Sequence, residues 1–168
     1  MRRIALAVTP FLLAGLLAAK PKESVTLAIV LEKPEYALSG KIEIGFKLVN
    51  QGKEPLYVNK RFKLGSVQAA PGQRELILEV KAADGTPMEM KNLDYETGLP
   101  KSDYFELLQP GQEAAGERKW DLKDLMKLEK PGTYEITAVY QNTYGKELGL
   151  EVFQEKVAAA AKVKVTGG

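Results

Sequence analysis

Residues 41–50 alternate strictly, with Ile42, Ile44, Phe46 and Leu48 on one side and Lys41, Glu43, Gly45 and Lys47 on the other. An extended chain points successive side chains to opposite faces, so this period of two predicts a half-buried antiparallel strand. The same alternation marks residues 25–32 (Val25, Leu27, Ile29, Leu31) and 74–81 (Leu76, Leu78, Val80). It returns at Tyr134, Ile136, Ala138 and Tyr140. Turn signals separate these segments: Pro34, Ser39-Gly40, Asn50-Gln51-Gly52-Lys53, Asp84-Gly85, Pro110-Gly111 and Pro131-Gly132. Asp-Gly in particular suits a tight hairpin, because glycine accepts the positive φ such a turn needs.

Weaker signals complete the pattern. Short strands are expected at residues 56–58, 87–90 and 104–108, with 113–120 extended and partly paired. Residues 148–153 and 157–166 supply the last strand or two. The alanines at 158–161 favour a helical turn by intrinsic propensity. Val163 and Val165 favour a strand, and strand is the reading adopted. Residues 91–103 form a long loop. Helical spacing occurs in residues 121–128, where Leu122, Leu125 and Met126 sit at i, i+3 and i+4 behind a capping Asp121. These features predict an all-β chain, an antiparallel β-sandwich of seven to nine strands with one short helix near 121–128.

The start of the chain predicts export. Met1-Arg2-Arg3 is a short cationic segment, residues 4–19 are an uncharged apolar run, and Lys20-Pro21-Lys22-Glu23 turns polar. That order is the anatomy of a secretory signal peptide. The run has 16 residues and contains Pro10, short of the ~20 that a spanning helix needs. Residues 1–19 are therefore assigned to a cleaved signal and 20–168 to a single domain, periplasmic or secreted, with no permanent membrane span. Lys20 stands where a lipoprotein would carry its lipidated Cys, so no lipid is expected.

Composition narrows the chemistry. The chain has no Cys and no His. Disulfides, thiolate nucleophiles, Cys/His zinc sites and His-based acid–base catalysis are thereby excluded. Of 24 Lys and Arg against 22 Asp and Glu, the two excess cations are Arg2 and Arg3. The domain itself is charge-balanced, which disfavours nucleic acid as a partner. No phosphate-binding glycine loop is present.

The candidate functional residues lie in or beside the longest loop. Asp94, Tyr95 and Glu96 share it, and Tyr104 closes it. Two carboxylates this close suit solvated loop acids or a weak cation site. Tyrosines offer large contact area at low entropic cost, either in binding or in covering the end of the core. Lys60-Arg61-Phe62-Lys63 is a small basic cluster, expected as a solvated turn, with contact to an anionic partner the alternative. Trp120 is expected in the core or at its edge, with an exposed binding anchor the alternative, and Asp124 on the exposed side of the helix.

Three motifs carry a family resemblance. The first runs Ser39-Gly40-Lys41-Ile42-Glu43-Ile44-Gly45-Phe46-Lys47-Leu48-Val49-Asn50-Gln51-Gly52, then Pro55-Leu56-Tyr57-Val58. The second is Leu107-Leu108-Gln109-Pro110-Gly111-Gln112. The third is Asp121-Leu122 leading into Lys130-Pro131-Gly132-Thr133-Tyr134-Glu135-Ile136-Thr137-Ala138-Val139-Tyr140. Together they resemble immunoglobulin-like domains of exported bacterial proteins, across residues 24–166. The resemblance implies that Tyr134 buries its ring and bonds its hydroxyl back to the corner backbone. It says little about function. Similar patterns precede the catalytic domain of some secreted metallopeptidases, whose His-Glu-x-x-His motif is missing here. The intracellular proteinase inhibitor family is similar more distantly, but its cytosolic setting conflicts with the export signal.

The expectation is a non-catalytic exported module, not an enzyme, with no cofactor and no metal. It would bind a protein or cell-envelope component through loops or an edge strand. The competing expectation is a protease inhibitor that presents residues 91–103, with Leu99-Pro100-Lys101 at the loop tip.

Overall fold

The computed structural model describes residues 24–65, 74–91 and 100–167. The expected signal segment and the loop residues Asp94, Tyr95 and Glu96 lie outside them. The described strands, in chain order, are β1 (Val25–Leu31), β2 (Glu35–Ala37), β3 (Glu43–Asn50), β4 (Leu56–Asn59), β5 (Leu64–Gly65) and β6 (Leu76–Ala82). They continue with β7 (Phe105–Leu108), β8 (Glu113–Ala115), β9 (Trp120–Asp121), β10 (Gly132–Tyr140) and β11 (Val157–Thr166). One helix, α1 (Leu122–Leu125), follows β9.

Two sheets enclose one core. In the first, β1 and β3 are antiparallel, from Val25 opposite Asn50 to Leu31 opposite Ile44. The far edge of β3 takes β8 and then β9. The second sheet has the order β2-β11-β10-β6-β5. Alternation decides what faces inward. Val25 and Leu27, Ile44, Phe46 and Leu48, Leu76, Leu78 and Val80, and Tyr134, Ile136 and Ala138 are all buried in the same cluster. Burying a large apolar side chain is worth ~2 kcal/mol, so the predicted alternation is the main source of stability.

The chain is an all-β sandwich, but it departs from the expected pattern in detail. Eleven strands occur among the described residues rather than seven to nine. The surplus comes from pieces of two or three residues, too short to show alternation. Two pairings, β2 on β11 and β5 on β6, are parallel rather than antiparallel. Residues 87–90 and 148–153 form no strands. Their ladders shrink to the bridges Lys81–Pro87, Met90–Met126 and Tyr57–Val152, and Gly149 at φ 72° breaks the second segment. The alanines at 158–161 are strand, within β11. The helix is only four residues long. Its expected continuation is claimed elsewhere: Met126 is extended and bridges Met90, and Lys91 N donates to Leu125 O at 2.7 Å.

Polar side chains fix the corners. Asp121 caps α1 by accepting from Lys123 N at 3.0 Å, and also accepts from Ile42 N at 3.2 Å. Asp124 is exposed, and Trp120 packs at the core edge with Arg118 stacked 3.9 Å above its ring. Asn50 is buried at the end of β3 and donates to Glu54 O and Leu108 O, while its Oδ1 accepts from Gly52 N. A Cβ on residue 52 would stand 3.1 Å from that oxygen, which explains glycine there.

Tyr134 enters β10 with its ring buried and donates its hydroxyl to Lys130 O at 2.7 Å. Burial pushes this phenol above its ordinary range, and the bond to Lys130 opposes that shift. Replacing Tyr134 by Phe removes one hydrogen bond and leaves the packing, so urea unfolding should show a loss of about 1 kcal/mol. An unchanged midpoint would mean the corner is held by Pro131 and Gly132 alone.

Candidate functional site

The β4–β7 ladder belongs to neither large sheet. It pairs Leu56 with Leu108 and Asn59 with Phe105. At one end Leu108 O accepts from Asn50, at the end of β3; at the other, Asn59 bonds Tyr140, at the end of β10. The ladder therefore spans from one sheet to the other and caps that end of the sandwich. Its inner residues Val58 and Leu108 join the main core.

The outer side of this cap carries a second, smaller apolar group. Phe105 and Val152 are buried there, outside the main cluster. The β10–β11 connection folds over them. Phe153 N donates to Tyr57 O at 2.8 Å, and Gly145 lies so close to Val152 and Phe105 that a Cβ would collide with both. Gly145 has φ 114°, and both oxygens of Glu147 accept from its N–H at 3.0 Å. A glycine is required at 145 for space and for conformation alike. At the rim, Leu107 is 41% exposed and Leu148 44%. They are two of the three large hydrophobic side chains exposed among the described residues.

A buried polar cluster anchors the cap to the second sheet. Tyr140 and the Asn59 backbone exchange two hydrogen bonds. The hydroxyl accepts from Asn59 N and donates to Asn59 O, each at 3.1 Å. Asn59 Nδ2 donates to Asn142 Oδ1 at 3.1 Å and to Glu75 Oε1 at 3.3 Å. Glu75 is 1% exposed and forms a forked ion pair with Arg61, through Nε at 3.0–3.1 Å and through Nη2. Its Oε2 also accepts from Lys63 N at 3.0 Å. A buried carboxylate needs such donors to remain charged. Burial, with the Glu75 charge adding to it, pushes the Tyr140 hydroxyl far above its ordinary range; the bond to Asn59 opposes both.

The expected basic cluster is thus corrected. Residues 60–63 are not a solvated turn. Lys60 pairs with Glu106 at 3.1 Å, Arg61 with Glu75, and Phe62 is buried edge-on against Tyr140. Sequence spacing hides this, because the partner carboxylate lies 14 positions away, just before β6. Of the candidate residues, Tyr104 is described. It is half-buried at the end of a 3-10 turn, Ser102–Tyr104, and its carbonyl accepts from Lys60 N at 2.8 Å. Tyr104 therefore borders the cap. Leu107, Leu148 and the Asn59–Glu75 cluster carry no local motif that reading the sequence could have found.

Chemically, this is an apolar rim on a rigid polar base. Among the described residues, no three carboxylates, histidines or cysteines gather as metal ligands, and no helix is long and apolar enough to cross a membrane.

Two measurements test the anchor. Glu75→Gln removes the buried carboxylate charge that faces Arg61, and should cost about 3 kcal/mol in denaturant unfolding. A loss well under that figure would make the pair dispensable. The second is pH-dependent. Unfolded tyrosine ionises near 10.0, whereas Tyr140 in the fold stays protonated above that value. The unfolded chain thus binds fewer protons as pH rises past 10, and stability falls. Tyr140→Phe should be less stable at neutral pH yet lose less on going from pH 9 to pH 11, by about 1 kcal/mol. Parallel stability curves for the two proteins would contradict that account.

No family model matches the chain, and no curated protein matches it.

Proposed function

We propose that the protein is a non-catalytic exported module that binds another protein or a cell-envelope component through the capped end of its sandwich. The observation that carries this reading is the exposure of Leu107 and Leu148 on a cap that hydrogen bonds and an ion pair lock to both sheets. Exposed apolar side chains on a rigid surface make good contact residues, because little entropy is lost when a partner covers them. Glu75 supports the non-catalytic part. Its oxygens are taken by Arg61, Asn59 and Lys63, which spends them on holding the fold. The corner tyrosine and the β1-to-β2 passage from one sheet to the other support an immunoglobulin-like reading. Export rests on the Arg2-Arg3 and apolar segment at the start of the chain.

The test is crosslinking in the intact envelope of a Gram-negative host. Leu107→Ser and Leu148→Ser alter surface side chains and should leave the melting temperature within about 2 °C of the parent. Partner recovery should fall about tenfold if either residue is a contact anchor. Equal recovery from parent and double variant would remove the cap as the binding face. Recovery of proteases alone would favour the inhibitor reading instead.

A further inference from the structure

The three methionines beyond Met1 meet at one place in the fold. Residues 86–91 return from the Asp84-Gly85 turn along β6. Ala82 N donates to Thr86 O at 2.9 Å, Met88 N donates to Val80 O at 2.7 Å, and Lys81 bridges Pro87. Lys91 N then donates to Leu125 O at 2.7 Å, and Met90 bridges Met126 just past α1. This short segment stitches the second sheet to the helix that follows β9 in the first.

Pairing fixes where the side chains point. Residues opposite one another in an antiparallel pair share a face. Met88 lies opposite Val80, which is fully buried, so it faces the core. Met90 faces the same way two residues on, and Glu89 between them is exposed. The partner of Met90, Met126, is 1% exposed. The Lys91–Leu125 bond flanks the 90–126 pair and marks it as non-hydrogen-bonded, a geometry that brings Cα atoms to about 4.5 Å and side chains into contact range. Met88 and Met90 are themselves half-buried and pack on the core. Two thioethers with partial access to water thus cover a third with none.

The chain has no cysteine, so thioethers are its only sulfur. We propose that Met88 and Met90 are a peroxide-oxidisable pair, and that their oxidation opens the stitch between β6 and α1. A lone pair of each sulfur attacks one oxygen of hydrogen peroxide. The S–O bond forms, the O–O bond breaks, and the second oxygen leaves as water. Each sulfur gives up two electrons, which the peroxide gains. The sulfoxide formed is polar and carries a strong acceptor oxygen. Directed at Val80 and Met126, that oxygen is buried among apolar side chains, so the oxidised residues turn toward water. Turning outward lifts residues 86–91 from β6 and uncovers Met126, which oxidises last. The site lies apart from Leu107 and Leu148 and does not depend on the binding role given to the cap.

The test is a time course of the folded protein in hydrogen peroxide, with peptide mass mapping to assign each added oxygen. Met88 and Met90 should gain theirs first, and Met126 about tenfold more slowly. In urea-unfolded protein the three should react alike. Protein oxidised at Met88 and Met90 should unfold at a lower urea midpoint than untreated protein. Met88→Leu combined with Met90→Leu conserves apolar volume, so the same treatment should leave Met126 reduced and the midpoint of that variant unchanged. The proposal is overturned if Met88 and Met90 stay reduced in the fold, or if Met126 reacts as fast as they do. An unchanged midpoint after both are oxidised would overturn it equally, as would oxidation of Met126 in the double variant at its parental rate. If the double variant fails to fold, the time course and midpoint of the parent still decide.

Discussion

The hydroxyl of Tyr140 holds the cap to the sandwich. It lies at the end of β10, the central strand of the second sheet, and it both receives and gives a hydrogen bond at the backbone of Asn59. Around that exchange the other anchors gather: Phe62 packs edge-on to the ring at 6.0 Å between centroids, and Phe153 stacks at 6.4 Å. Asn59 then reaches Glu75 and Asn142, so one side chain positions β4, the start of β6 and the exit from β10. Buried polar groups are stabilising only when each is matched. Here the matching also ties geometry together, because Asn59 meets Tyr140, Glu75 and Asn142 at once.

Phe62 shows the cost of that placement. It has φ 47°, a left-handed conformation that disfavours a side-chain-bearing residue by ~1–2 kcal/mol. Burial of its ring, against Tyr140 on one side and Gly116 on another, outweighs that cost. A Cβ at residue 116 would stand 3.0 Å from the Phe62 ring. Strain at one residue and the absence of a side chain at another are thus parts of a single fit.

Much of the sandwich was legible in the sequence because alternation is a local signal. Ile42 to Leu48 and Tyr134 to Tyr140 point inward as their spacing requires, and Asp121 and Tyr134 make the bonds expected of them. Failures came where distant chain decides local form. The helical spacing of Leu122, Leu125 and Met126 is real, but Met90 and Lys91 take the backbone beyond Leu125 and end the helix. Lys60-Arg61-Phe62-Lys63 looks solvated until Glu75 is brought to Arg61, and nothing between residues 61 and 75 announces that meeting. The cap was illegible for the same reason. Leu107 differs from Leu108 in no local respect, and only the pairing with Tyr57 decides that it faces outward.

The seat of β2 on β11 joins positions 129 residues apart, with Lys164 bonded to Glu35. Its consequence lies in time rather than in shape. A chain emerging from its amino end makes β1 and β3 early, but the second sheet lacks the seat for β2 until the ten residues of β11 arrive. Loop-closure entropy of that size must be met before the contacts that reward it can form. Folding is therefore deferred until β11 has been made, and a chain lacking that strand would leave Leu76, Ile136 and their neighbours open to wrong partners. The last strand acts as a clasp that makes acquisition of the native state a single late event.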